Sequence, residues 1–372
     1  MADRYCMHNQ LMNDFIDESF EGIRAPFTAG FELTAKCNLN CVHCYAKPDR
    51  VHQDFTLEEF KAVFDILTER GLLDCYFTGG EIFTRPDFED MFIYAKKKGV
   101  QISLLSNITL LSQKHIDLFK EYPVEIISTS MYGYSEESYE KVTGVKGSFR
   151  KFMNGLELLQ KNDIKYELKF VAMEQNIDDL YKVREFGNQL GVPMVVILDV
   201  HPMSDGSMEP VSFRLTPEDA FEFDVQDNGR NQFWKDVARE LLSGEIELRP
   251  QRTIQRFREG YLYPCSIANQ HVFITSDLKM QGCVRASYRK FDLRKGGFDE
   301  GWEYLQKEFL EKKSSSNYKC NSCENIRFCE HCVANFMLDY GDEEKVDPFF
   351  CRVAELRRAF VEDEIKRLAK KE

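Results

Sequence analysis

The strongest constraint on the fold is an alternation of short β-type runs with amphipathic helical stretches between residues 30 and 200. This alternation predicts βα units whose parallel strands share one sheet. Thr56 with Glu59 forms a capping box for the first helix, Gly71 ends it, and Asp87 and Ser112 can cap the next two. The predicted strands are 31–34, 73–78, 100–105, 124–130, 165–171 and 194–199. Six such units predict an incomplete barrel with its chemistry in the loops that follow the strands.

The composition restricts the partners of this chain. The 49 Lys and Arg residues stand against 62 Asp and Glu, and the resulting formal charge of −13 repels phosphate backbones and anionic lipid. No apolar run approaches the ~20 residues that span a bilayer, and residues 1–10 are polar with no signal-peptide core behind them. We therefore expect a soluble, cytoplasmic protein that binds neither nucleic acid nor membrane.

The chain contains twelve cysteines, which we interpret as metal ligands because the cytosol keeps thiols reduced. Three lie at 37–44 and seven between 265 and 351, whereas Cys6 and Cys75 stand apart. Cys75 lies within a predicted strand, so we expect it to be a buried, small apolar residue.

The first cysteine group, Cys37, Cys41 and Cys44, follows the first predicted strand with the spacing C-x3-C-x2-C. Three thiolates on one loop can bind three irons of a 4Fe-4S cluster and leave the fourth iron without a protein ligand. The alternative is a zinc site with His43 as the fourth ligand. That alternative is disfavoured because His43 lies directly beside Cys44, where a single tetrahedral centre would be cramped.

This motif, followed by the aromatic Tyr45 on the loop after strand one of a βα barrel, resembles that of the radical S-adenosylmethionine (SAM) enzymes. The resemblance implies that SAM binds the open iron and is cleaved reductively to a 5′-deoxyadenosyl radical, which removes hydrogen from an unreactive C-H bond. It also implies a reductant of the flavodoxin or ferredoxin type. The cofactor carries the hard chemistry, while the protein positions it and excludes water.

Residues after the later strands match the same family. Gly79-Gly80 alone would be an ordinary turn. With Glu81 it resembles the family's GGE motif, in which close backbone approach and an acidic side chain hold the SAM ammonium. For Tyr45 a core position is the alternative to a place near the adenine. Lys169, in the fifth strand, lies at a position that could face the cavity, but a side chain that reaches the surface is favoured. The SAM-binding positions that the resemblance implies are Tyr45, Gly79, Gly80, Glu81, Ser106, Asn107 and Ser130.

The simplest explanation of the second cysteine group is one or two zinc-ribbon sites. Two zinc sites with four cysteine ligands each would need one cysteine more than the seven present. The group resembles a SPASM domain, which implies two auxiliary 4Fe-4S clusters and three clusters in all. It departs from the usual pattern by one residue between Cys329 and Cys332, and Leu278 stands in the region of a usual glycine. By resemblance, the inner cluster would use Cys265, Cys283 and Cys332, and the outer one Cys320, Cys323, Cys329 and Cys351.

The implied α/β architecture is a partial (β/α)6 TIM-like barrel followed by a small Cys-rich SPASM domain. Metal is expected to set the fold of the Cys-rich part, because little apolar sequence separates its ligands. Helices are predicted at 228–244, at 249–260, near 301–312 and after 351, and a hairpin at 272–275 and 279–283. The predicted units are an N-terminal extension at 1–24, the barrel at 25–210, a helical bridge at 211–262 and the SPASM domain at 263–372.

Most SPASM-type enzymes modify peptides, so we expect a maturase that cross-links a ribosomally made precursor peptide through a thioether, C-C or C-O bond. Alternatives are oxidation of a protein Cys or Ser, as in sulfatase maturases, and radical oxidation of a small molecule. The sulfatase alternative is weakened because Val284 follows Cys283, where that branch carries an Asp base. A non-enzyme alternative is an iron-sulfur or zinc protein for electron transfer or interaction. No residue is assigned as the catalytic base.

The route by which a precursor peptide would reach this barrel also bears on the prediction. About 28 residues precede the first strand, fewer than the ~50 of a minimal recognition domain. We therefore expect either a separate leader-peptide-recognition protein or strand addition at the barrel edge.

Overall fold

The computed structural model describes residues 23–51, 53–244, 259–263, 265 and 267–370. The helix predicted at 249–260 lies largely outside these residues, and Cys6 lies wholly outside them. Within the described ranges, no helix combines the length and the apolar character needed to cross a membrane.

Six parallel strands lie between residues 28 and 197, and each neighbouring pair is joined in parallel register. They are β1 (Thr28–Thr34), β2 (Asp74–Gly79), β3 (Gln101–Leu105), β4 (Ile127–Ser130), β5 (Tyr166–Val171) and β6 (Met194–Ile197). All six predicted strands are confirmed, although β4 begins three residues later than predicted and β6 ends two residues earlier. The α/β partial barrel is therefore confirmed.

Helices cover the outer face of this sheet. They are α1 (Leu57–Glu69), α2 (Phe88–Lys97), α3 (Gln113–Glu121), α4 (Glu136–Thr143), α5 (Ser148–Lys161) and α6 (Leu180–Leu190). The Thr56–Glu59 capping box is present, since the Glu59 amide donates to Thr56 Oγ1 at 3.2 Å and the Thr56 amide donates to Glu59 Oε2 at 2.8 Å. Asp87 precedes α2, but its carboxylate accepts from Arg85 Nε at 2.7 Å and makes no capping bond.

Aromatic side chains form the core between the sheet and its helices. Phe31 of β1 and Phe77 of β2 lie with ring centroids 6.2 Å apart, and Phe60 of α1 packs on both at 5.3 and 5.8 Å. Cys75 is fully buried in the same core, as predicted. Each buried aromatic ring contributes a large apolar area, so this layer is a major source of stability.

The Cys-rich part is joined to the barrel through the sheet itself, a connection that the sequence did not indicate. Strand β7 (His271–Ile274) pairs in parallel with β1, and β8 (Lys279–Gln281) and β9 (Phe291–Asp292) continue antiparallel beyond it. The order among the described strands is β6-β5-β4-β3-β2-β1-β7-β8-β9. The predicted hairpin thus exists, and barrel pairing fixes its place without metal.

Apolar packing also shapes the Cys-rich part. Helix α9 (Phe298–Leu305) continues into a π-helical turn, Gln306–Leu310, and buries Trp302, Leu305 and Phe309 in the main core. Apolar packing therefore contributes to this fold, and the expected role of metal in setting it stays a prediction.

A helical layer lies beyond the edge strand β6. It consists of α7 (Pro217–Gln226), α8 (Asn228–Ser243), α10 (Val333–Tyr340) and α11 (Pro348–Ala369). Trp234, Phe336 and Phe350 form its apolar centre. Buried Arg357 of α11 donates to Asp224 of α7 at 2.6 Å, which ties the predicted bridge to the C-terminal helix.

Candidate active site

The cysteine loop is held against the end of β2 by two glycines. The Gly80 amide donates to the Thr34 carbonyl at 2.8 Å, and the Glu81 amide donates to the Lys36 carbonyl at 2.8 Å. A Cβ at Gly80 would overlap the Lys36 carbonyl, and Gly79 has a φ of +141°, which side-chain-bearing residues rarely adopt. The two glycines are therefore needed for the close approach of backbone to backbone.

The far side of the loop is fastened to the end of α4. The Asn40 amide donates to the Thr143 carbonyl at 2.9 Å, and the Val42 amide donates to the Val142 carbonyl at 3.0 Å. Backbone hydrogen bonds thus fix both flanks of the loop that carries the three thiols.

A cavity of about 290 Å³ opens at the carboxyl ends of the strands, where barrel enzymes bind their ligands. All three cysteines of the loop line it. Six of the seven predicted SAM-binding residues line it as well, namely Tyr45, Gly79, Gly80, Ser106, Asn107 and Ser130. The structure thus brings together one cysteine trio and most of the predicted SAM-binding residues.

Glu81 is the exception, because it lies behind the cavity wall and is fully buried. Its carboxylate accepts from the Ser106 hydroxyl at 2.7 Å, the Asn107 amide at 2.7 Å and the Phe83 amide at 3.1 Å. Burial raises its pKa to about 7, although these three hydrogen bonds act in the opposite direction. Through two of these bonds Glu81 holds the Ser106-Asn107 turn in place.

Asn107 contacts the first cysteine as well as the cavity. Its Nδ2 lies 3.8 Å from Cys37 Sγ and 3.1 Å from Asn38 Oδ1. The Leu39 amide also points at Cys37 Sγ, at 3.4 Å. Donors directed at a thiolate stabilise its charge and tune a bound cluster. Asn38 therefore joins the site through Asn107, a role that no sequence pattern indicated.

Lys169, Asp199, His201 and Arg285 also line the cavity, and no sequence pattern assigned them a role. The expectation that Lys169 reaches the outer surface is wrong, because its position in β5 faces the barrel interior. Burial lowers the pKa of His201 to about 4, and Arg285 adds to this effect. His201 is therefore neutral near pH 7, with its ring centroid 5.1 Å from that of Tyr45.

Asp199 links the barrel to the Cys-rich part. Its Oδ2 accepts from Arg285 at 2.5 Å and from Asn335 Nδ2 at 2.9 Å. Arg285 follows Cys283 by two residues and Asn335 follows Cys332 by three. The loops that carry these two cysteines are thus anchored at the cavity.

A second chamber of about 280 Å³ lies deeper along the inner faces of the strands. Glu167 Oε1 accepts there from the Ser128 hydroxyl at 2.6 Å and lies 3.8 Å from Lys169 Nζ. The two spaces share Tyr45, Thr78, Leu105, Ser128 and Lys169. The remaining lining residues of the chamber are Asp74, Tyr76, Ser103, Glu167 and Val284.

The C-terminal cysteines fall into two spatial groups. Burial raises the pKa of Cys283 to about 12, and the neighbouring thiols of Cys332 and Cys265 add to this effect. Burial, with Cys323 and Cys351 nearby, raises the pKa of Cys320 to about 11. The first group contains the three cysteines of the implied inner set, and the second contains three of the four of the implied outer set. Several buried thiols lie close together in each group, so their thiolates would repel one another. A bound cationic centre would offset this repulsion and stabilise the thiolates.

The donor set fits iron-sulfur clusters better than zinc. In the described part of the chain, no three His, Cys, Asp or Glu side chains converge closely enough to hold a single metal ion. Cys37, Cys41 and Cys44 all line one cavity, and three thiolates on one loop can bind three irons of a 4Fe-4S cluster. His43 packs edge-on against Tyr132, with ring centroids 4.9 Å apart.

Comparison with known proteins agrees with this site. Residues 31–187 match the profile described as the Radical SAM superfamily. Fe-coproporphyrin III synthase of Methanosarcina barkeri is 30% identical, over 86% of each chain. The antilisterial bacteriocin subtilosin biosynthesis protein AlbA of Bacillus subtilis is 34% identical, over 44% of this chain and 38% of that protein.

The solved structures include Streptococcus suis SuiB bound to precursor peptide SuiA. The match has a TM-score of 0.68 at 13% identity, and it covers 92% of this chain and 80% of SuiB. At this identity the likeness concerns the fold, and it extends through the Cys-rich part as well as the barrel.

The fold and cavity define a βα-barrel enzyme whose cysteine loop follows the first strand. The chain belongs to the radical SAM superfamily. Its cofactors therefore include SAM and a 4Fe-4S cluster, and its Cys-rich extension has the SPASM type of fold.

Proposed function

We propose that this enzyme is a maturase that oxidatively cross-links a residue of a precursor peptide inside the deep chamber. One observation carries the proposal: the chamber lies between the two cysteine-bearing parts of the protein. Tyr45 and Thr78 border it from the side of the first cysteine loop, and Val284, next to Cys283, borders it from the other side.

In this proposal Cys37, Cys41 and Cys44 hold the first cluster, and the SAM-binding residues are those implied by the family motifs. SAM and its cluster would supply hydrogen-atom removal from a substrate C-H bond. The Ser106-Asn107 turn, braced by Glu81, forms one wall of the SAM cavity. Gly79 and Gly80 keep the cysteine loop against the end of β2.

A cross-link removes a pair of hydrogen atoms from the substrate and joins the two centres by one new bond. The first leaves as a hydrogen atom, and the second leaves as a proton and an electron. The inner set Cys265, Cys283 and Cys332 would hold the cluster that accepts this electron, because Val284 and Arg285 carry the Cys283 loop to the chamber and the cavity. Cys320, Cys323, Cys329 and Cys351 would hold the outer cluster.

The size and lining of the chamber support an amino-acid side chain as the reacting group. About 280 Å³ lies below the usual volume range of sites for drug-sized ligands. Asp74, Ser103, Glu167 and Lys169 give the chamber polar walls, which suit a side chain with hydrogen-bonding groups. A precursor peptide bound to the structural neighbour SuiB supports the same substrate class.

A second candidate is modification of a tetrapyrrole, which is favoured by one observation. The relative named Fe-coproporphyrin III synthase matches 86% of this chain. A macrocycle needs a broad cavity that covers both of its faces, and a chamber of about 280 Å³ is too small to provide it. We therefore rank the peptide above the macrocycle.

The test is anaerobic incubation of the reconstituted enzyme with SAM and dithionite. Each short open reading frame that neighbours the gene supplies one candidate peptide, and iron coproporphyrin III is the competing probe. We expect one peptide to lose the mass of a pair of hydrogen atoms while 5′-deoxyadenosine accumulates with it. Conversion of iron coproporphyrin III with no peptide altered would establish the second candidate and refute the first.

A further inference from the structure

We propose that the open edge of β6 is the track along which an extended segment of the peptide substrate enters the active cavity. This inference rests on the proposed peptide function and adds the surface that binds the segment. It requires that β6 offer unpaired backbone groups and that an open path follow the strand to the cavity.

The backbone of β6 meets the first requirement. Among the described strands, β6 has β5 as its single neighbour. The carbonyls of Pro193 and Ile197 accept hydrogen bonds from the amides of β5 and of the residue that follows it. The odd-numbered residues of β6 therefore direct their backbone N-H and C=O groups toward β5. The N-H and C=O groups of Met194, Val196 and Leu198 therefore point toward the open edge.

Adjoining spaces follow the strand from its start to the wall of the active cavity. A groove of about 740 Å³ begins beside Pro193 and Met194, at the start of β6. A cleft of about 220 Å³ continues past Val196 and Leu198 to Asp199, which also lines the active cavity. The path from 193 to 199 is about 20 Å long at the rise of an extended strand.

The cleft runs along the strand edge rather than over one face of the sheet. Val195 and Val196 point to opposite faces of the sheet, yet both line the cleft. A space that touches both faces must pass around the edge itself. That is the position an added strand would take.

One charged side chain lies where the groove meets the cleft. Arg184 lines both spaces, and its guanidinium pairs with Asp227. The side chain keeps 29% of its surface exposed, so a peptide carbonyl placed on the track would lie beside its positive charge.

The lining defines the chemistry of the segment. Phe223, Phe349, Phe350 and Val353 give the cleft an apolar wall opposite the strand edge. A 150 Å³ apolar cavity can hold benzene, so the cleft of about 220 Å³ has room for one aromatic or branched side chain. Tyr181 and Phe233, which are 42% and 46% exposed, line the outer groove and offer further apolar contact. The fitting partner is thus an extended peptide that carries a large apolar residue.

The test uses a phage-displayed library of random dodecapeptides, selected on the anaerobically prepared full-length enzyme. Selected peptides are then measured by fluorescence anisotropy against Val196→Pro and Val196→Ala. Proline removes the N-H that faces the open edge but no ladder bond to β5, while alanine removes the side chain and keeps the N-H. We expect about tenfold weaker binding to Val196→Pro, which corresponds to roughly 1.4 kcal/mol, and near wild-type binding to Val196→Ala.

Two further measurements keep the test independent of how well the proline variant folds. Phe233→Glu changes an exposed side chain of the outer groove and should also weaken binding. In the wild-type enzyme, hydrogen exchange of the 194–198 amides should slow when a selected peptide is added. Peptides that bind all variants equally and leave this exchange unchanged would overturn the track while the proposed function stands. A library from which the wild type enriches no peptide would refute the peptide function, and the track with it.

Discussion

Replacing Glu81 with glutamine should make stability less sensitive to pH, because this carboxyl is held where its charge is unfavourable. Burial raises the pKa of Glu81 from 4.5 to about 7. The folded state therefore binds the proton more tightly than the unfolded state. The stabilising contribution of the protonated group is present in full below pH 4.5, and it is lost as pH rises through about 7.

The magnitude follows from the size of the shift. A pKa change of about 2.5 corresponds to about 3 kcal/mol of stability lost by the wild type across this interval. The glutamine side chain of the variant does not titrate. Its amide nitrogen is a donor, however, and would face another donor, either the Asn107 N-H or the Ser106 hydroxyl, so that one hydrogen bond is lost. At low pH we expect the variant to be less stable by ~1–3 kcal/mol for that lost hydrogen bond. By pH 8.5 this deficit should shrink to near zero or reverse.

The assay is anaerobic thermal unfolding of wild type and Glu81→Gln between pH 4.5 and 8.5. At roughly 2.1 cal/mol/K per residue for 372 residues, 3 kcal/mol corresponds to a change of about 4 °C in the Tm difference. Exposed Glu137→Gln is the control for the removal of a negative charge. A Tm difference between wild type and Glu81→Gln that stays constant with pH would refute the reasoning.

Variants at three other positions test separate parts of the site. Gly80→Ala should lower stability by ~1–3 kcal/mol and reduce the iron content, because its methyl group overlaps the Lys36 carbonyl; thermal unfolding and iron analysis measure both. Cys329→Ala should keep SAM cleavage but stop product formation, and unchanged cross-linking would remove Cys329 from the outer cluster. Lys169→Met should raise KM for the cross-linked peptide about tenfold, whereas Lys169→Arg should restore most of the affinity; equal KM values would exclude a role for the charge.

Much of the barrel could be predicted because its signals are local. Apolar runs bounded by turn residues indicated all six strands, and Thr56 with Glu59 marked the start of α1. The spacing of Cys37, Cys41 and Cys44 on the loop after β1 indicated the site itself. These features depend on neighbours in sequence, which a single chain displays directly.

The features that sequence missed depend on contacts between distant segments. The pairing of β7 with β1 leaves no local pattern, because any half-buried strand can join an open sheet edge. The interior position of Lys169 did leave a signal. Tyr166, Leu168 and Phe170 are the buried set of β5, so the alternate residues Glu167 and Lys169 had to face the barrel interior.

Leu278 shows how a departure from a motif can preserve its geometry. The glycine that is usual in this region is absent, yet Leu278 adopts a φ of +61° in the turn between β7 and β8. Leucine rarely occupies this left-handed region, so no sequence pattern indicated that the turn would persist. The Leu278 amide donates to the Thr275 carbonyl at 2.9 Å and helps to hold the turn.

The central claim is that Cys37, Cys41 and Cys44 hold a cluster with one iron free to bind SAM. The most direct measurement compares the anaerobically reconstituted wild type with Cys41→Ala for iron, sulfide and zinc content and for release of 5′-deoxyadenosine on reduction. The account predicts about twelve irons in the wild type, about four fewer in the variant, and no SAM cleavage by the variant. Zinc in place of iron, or SAM cleavage that survives the loss of Cys41, would contradict it.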